Sequence, residues 1–75
     1  MQKLASLERF TVPLGGQEVE LQQVDFETGG MSFLRIRIRE GKRFTIFDID
    51  PATAKAWGGA MEAWAREQLT KPGAG

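Results

Sequence analysis

The chain has 75 residues, no cysteine, no histidine and equal numbers of basic and acidic side chains, so its formal net charge is zero. That length supports one small domain with a thin core. The missing residue types exclude a disulfide framework, a thiolate or imidazole metal site and the usual histidine base, and neutrality argues against a dedicated binder of nucleic acid or anionic membrane.

Phe10, Val12 and Leu14 alternate with Thr11 and Pro13. This predicts a first strand, placed at a sheet edge because proline cannot donate to a ladder. Gly15-Gly16 makes the turn. Val19 and Leu21 then share a face, whereas Val24 and Phe26 have the opposite parity; a β-bulge near Gln22-Gln23 would bring all four to one side. Thr28-Gly29-Gly30 is the next turn.

From Leu34 to Arg39, apolar and basic residues alternate strictly. Leu34, Ile36 and Ile38 point one way, and Phe33, Arg35, Arg37 and Arg39 the other. A turn at Glu40-Gly41-Lys42 leads into a fourth strand from Arg43 to Ile49. Pairing these strands about Gly41 sets Ile38 near Phe44 and Ile36 near Ile46, leaving Arg43, Thr45, Phe47 and Ile49 on the open face with the arginines.

Asp50-Pro51 opens a helix, with aspartate accepting from free amides and proline tolerated at the first helical position. Ala54, Trp57, Met61, Trp64 and Gln68 recur at helical spacing, with Leu69 close by, and Glu62 and Arg66 form a solvent pair on another side. The Gly58-Gly59 pair costs roughly 1 kcal/mol per residue relative to alanine. It reads either as close packing or a mild kink against the sheet, or as part of a small-residue strip (Ala52, Ala56, Gly59, Ala60, Ala63) that another helix can approach. The helix ends before Lys71, giving one domain over residues 1–70 and a disordered tail over 71–75.

The predicted fold class is α+β, a four-stranded antiparallel meander with one C-terminal helix packed on one face. Its expected core holds Val12, Val19, Leu21, Leu34, Ile36 and Ile38, together with Phe44, Ile46, Trp57, Met61 and Trp64. No apolar run suits a signal peptide or a membrane span, so the expected setting is the cytoplasm, without a membrane partner.

The candidate interaction face comprises Phe33, Arg35, Arg37, Arg39, Arg43, Phe47 and Ile49. Three readings compete for it. Arginine stems can shield the apolar members from water; the apolar end can be a homodimer surface; or guanidinium groups and rings can hold the phosphates and bases of single-stranded nucleic acid. Zero net charge and nearby Glu20, Asp25 and Glu27 place nucleic acid third. The order of four strands then a helix resembles, in topology, the PUR and whirly class of single-stranded nucleic-acid-binding folds, for which assembly from copies of the unit is implied. The run from Arg43 to Thr53, with Trp57-Gly58 after it, resembles a family of small uncharacterised bacterial proteins, which implies no activity.

Asp48-Ile49-Asp50 at a strand end resembles the Asp-x-Asp signature of haloacid-dehalogenase-type phosphotransferases, which implies a nucleophilic first aspartate, a proton-handling second and bound magnesium. Ala52 stands where that family carries threonine or valine, and the chain has no room for the remaining motifs. Asp50 is better explained as a helix cap and Asp48 as a strand-end polar group. No catalytic residue, metal site, cofactor or small-molecule substrate is predicted. The leading functional reading is a self-associating, non-enzymatic interaction module, and the alternative is weak single-stranded nucleic-acid binding.

Overall fold

A computed structural model describes residues 2–26 and 29–71. Strands β1 (Gln2–Thr11), β2 (Glu18–Phe26), β3 (Phe33–Glu40) and β4 (Arg43–Ile49) precede helix α1 (Pro51–Thr70). The sheet is an antiparallel meander in the order β1-β2-β3-β4, so the fold is the predicted α+β arrangement. Thr28 and the tail over 72–75 lie outside the described residues.

β1 begins earlier than expected and stops before Val12. Val12 instead closes the following turn, donating its N–H to the Gln17 carbonyl at 2.8 Å and accepting from the Gly16 N–H at 2.8 Å. Pro13, which has no N–H to give a ladder, sits inside that turn. The early part of β1 hides from period-two reading because Leu4 and Leu7 have opposite parity. Ser6 pairs with Gln22 and Glu8 with Leu21, so Leu7 is an extra residue.

The bulge therefore belongs to β1, and β2 runs unbroken. Val24 and Phe26 consequently face away from the helix, beside Leu4 and Phe33. Val24 has no exposed surface, and the Phe26 and Phe33 rings meet edge to face at 5.9 Å. A second small apolar cluster thus lies at one end of the sheet's open side.

The last hairpin also differs from expectation. Glu40 pairs with Arg43, so the loop has two central residues, Gly41 and Lys42. Gly41 adopts φ 59°, the left-handed conformation a tight hairpin needs at its first central position. Relative to pairing about Gly41, the register slips by one residue, and every β4 side chain changes face. Thr45, Phe47 and Ile49 now join Ile38, Ile36 and Leu34 on the helix side, whereas Phe44, Ile46 and Asp48 join the arginines.

α1 starts where expected, with the Asp50 carboxylate accepting from the Thr53 N–H at 3.2 Å and Pro51 in the first turn. It turns back over β3, and Trp57 stacks on Phe47 at 5.9 Å between ring centres. Beyond Trp57 the helix leaves Met61, Trp64 and Leu69 exposed, and no α1 residue is fully buried. Among the described hydrophobic residues, only Val24 and Ile36 are buried. Of the expected core, Phe44 and Ile46 are exposed because the register turns them to the open side, and Trp57, Met61 and Trp64 are exposed because the helix is only partly seated on the sheet.

Two candidate interaction faces

The sheet separates two unlike surfaces. On the open side, Glu18 and Glu20 of β2 stand opposite Arg39 and Arg37 of β3, and Asp48 of β4 stands opposite Arg35. Alternation in three adjacent strands puts all these charges on one face. Arg35 forms a forked pair with Asp48, with Nε donating to Oδ1 at 2.8 Å and Nη2 to Oδ2 at 3.2 Å. Arg39 donates through Nε to Glu18 at 3.2 Å and through Nη1 to the Gly41 carbonyl at 3.1 Å. Arg37 lies 3.6 Å from Glu20 and places its guanidinium 4.6 Å from the centre of the Phe44 ring.

Glu20 is the hub of this face and is only 7% exposed. It accepts from the Ser6 hydroxyl at 2.8 Å and from Arg9 at 3.3 Å, besides facing Arg37. The Ser6 hydroxyl, and then Arg9, hold its carboxyl below the ordinary glutamate value against the opposing effect of burial. The bond from Arg39 lowers the Glu18 value in the same way. Arg35 lowers Asp48, and Asp48 in turn raises Arg35. A depression of about 100 Å³ between Arg9, Glu18, Glu20, Arg37 and Arg39 is lined by these paired groups.

The candidate residues divide between the two sides. Phe33, Arg35, Arg37 and Arg39 share the open face as expected, whereas register places Arg43, Phe47 and Ile49 on the helix side. Sequence reasoning placed Glu20 near the ladder but missed that Glu18, Glu20 and Asp48 pair with its arginines. The signal was present: Glu-x-Glu at Glu18–Glu20 precedes Arg-x-Arg-x-Arg across one turn, and antiparallel pairing brings such repeats together.

The helix side is apolar. A groove of about 330 Å³ runs between the first turns of α1 and the sheet, lined by Phe10, Leu21, Ile36, Ile38, Trp57 and Met61 among others. Gly58 also lines it, yet a Cβ added at Gly58 or Gly59 would meet nothing within 4 Å. The glycine pair therefore does not serve close packing against the chain's own sheet.

The Asp48 and Asp50 carboxylates do not form a shared site: one is engaged by Arg35 on the open face and the other caps α1. Among the described residues, no cluster of acidic side chains is placed to hold a metal, and no helix is long and apolar enough to cross a membrane.

A family model matches residues 1–67. The chain belongs to a family of unknown function, DUF6967. Neither a curated protein nor a solved structure matches it. Membership in DUF6967 thus assigns no activity, and the functional reading rests on the two faces.

Proposed function

We propose that this DUF6967 chain is a non-enzymatic interaction module that works as a homodimer, with the helix side of each copy covered by the other. The supporting observation is the surface the single chain leaves open. A monomer of this length normally exposes about 4,600 Å², and this chain exposes 6127 Å². Its radius of gyration is 15.1 Å, against about 11 Å for a compact domain of this length. The excess of roughly 1,500 Å² per copy is of the size that obligate homodimers bury. Trp57, Met61, Trp64 and Leu69 project from the helix in this open region.

Moving Phe47 and Ile49 to the helix side moves the association surface with them, away from the arginine face. The unfilled space around Gly58 and Gly59 joins that surface to the small-residue strip of α1. Light scattering across a wide concentration range tests the proposal. A mass of twice the chain is expected, and a strict monomer up to the highest attainable concentration would overturn it.

Single-stranded nucleic acid is the second reading, favoured by the exposed Arg9 and the half-buried Arg37 and Arg39 around the depression and by Phe44 beneath Arg37. Each ladder arginine already holds a carboxylate, however, so phosphate would have to displace an existing partner. Fluorescence anisotropy with a labelled oligonucleotide decides between the readings. Binding that weakens steeply with salt would assign this face a ligand, and the absence of binding at low salt would remove it.

A further inference from the structure

β4 is an edge strand, and of the features that keep edges from pairing it has only the charges of Arg43 and Asp48 at its two ends. Its seven residues contain no proline, lysine or bulge, and Phe44, Thr45, Ile46 and Phe47 form an uncharged centre. The side chains of that strand are exposed on both sheet faces from Arg43 to Asp48. β1, the other edge, carries the bulge at Leu7 together with Lys3 and Arg9.

The hairpin settles which backbone groups are free. A two-residue loop makes Glu40 and Arg43 a hydrogen-bonded pair, and bonded positions then alternate along the strands. Arg43, Thr45, Phe47 and Ile49 bond to β3, so Phe44, Ile46 and Asp48 turn their N–H and C=O groups outward.

Those outward positions are complementary to themselves. Antiparallel pairing about Ile46 sets Phe44 opposite the second copy's Asp48, and the reverse, with Ile46 opposite Ile46. Two antiparallel strands are related by a two-fold axis normal to the sheet, so like faces stay together. The charged sides would form one surface, and both helices would lie on the other. Exposed Met61 and Trp64 of each copy then lie on the side where the partner's uncovered strand residues are found.

We propose that two copies join β4 to β4, antiparallel about Ile46, into one continuous eight-stranded sheet with both helices on one face. This rests on the self-association reading and supplies its geometry.

Amide hydrogen exchange, read residue by residue by NMR on the intact chain, tests the arrangement. At concentrations where the mass is that of a dimer, the Phe44, Ile46 and Asp48 amides should exchange at least about 100-fold more slowly than in an unstructured peptide. They should lose that protection on dilution to monomer. A dimer in which these three amides stay unprotected would overturn the β4 seam while leaving self-association intact; a monomer at every concentration would overturn both. Ile46→Pro supplies a second readout, because it removes an outward N–H without touching the β3 ladder. It should weaken dimerisation at least about tenfold relative to Ile46→Thr, which keeps the N–H. Equal affinities for the two variants would also refute the seam.

Discussion

Replacing Trp64 with lysine separates packing within the chain from packing between copies. Trp64 is 67% exposed, so the chain itself uses little of its indole. A tryptophan side chain offers about 200–250 Å², which leaves about 150 Å² for a partner to cover. At about 25 cal/mol per Å², full coverage contributes about 3.7 kcal/mol per copy, counted twice in a symmetric dimer. If only half the surface is covered, the dissociation constant should rise several hundred-fold, at about 1.4 kcal/mol per tenfold. Sedimentation equilibrium measures the constant, and far-UV circular dichroism reports whether the helix remains. An affinity within about threefold of the original would mean that Trp64 stays in water in the dimer, and the helix side would no longer be the interface.

Ile36 is 7% exposed and lies at the centre of the helix side, so Ile36→Ala should cost about 2–4 kcal/mol in thermal unfolding. A smaller loss would show that the groove around it collapses freely. Glu18, Glu20 and Asp48 all have lowered folded-state values, so they stabilise the fold above the unfolded carboxyl range, near 4.5 for glutamate and 3.8 for aspartate. That contribution should disappear as pH falls through the lower folded values, and Glu18→Gln with Glu20→Gln should flatten the acid limb of a denaturation profile. Gly58→Ala with Gly59→Ala should raise helix content, worth about 1 kcal/mol per site. The same pair should weaken dimerisation if a second copy approaches there, and unchanged affinity would place the strip outside the contact.

The strand order and the helix were legible in the sequence because each has its own local signal. The arginine ladder alternates without exception, and Asp50-Pro51 combines a cap with a residue suited to the first turn. The register of β4 was not legible. Phe44 and Ile46 form one apolar pair, and Phe47 and Ile49 another of opposite parity, so hydrophobicity fits either register. Loop length alone decides, and Glu40-Gly41-Lys42-Arg43 reads equally as a turn of two or three central residues. The bulge was misplaced for a related reason. Requiring Val19, Leu21, Val24 and Phe26 to share one face assumes a single core, whereas Val24 belongs to a cluster on the opposite side with Leu4 and Phe33. Charge pairing on the open face follows from register between β2 and β3, which no single strand reveals.

The extra residue at Leu7 gives the sheet two unequal borders. Both have an uncharged centre between charged residues, but one border is interrupted by the bulge and the other is straight. A sheet with two plain borders can keep adding copies and grow into a fibre. In the proposed β4-to-β4 pair, the straight border of both molecules would be used up, and the irregular β1 strands would stand at the two ends. Such an assembly would halt at a pair, so the irregularity in the first ten residues would limit what the last strand can build.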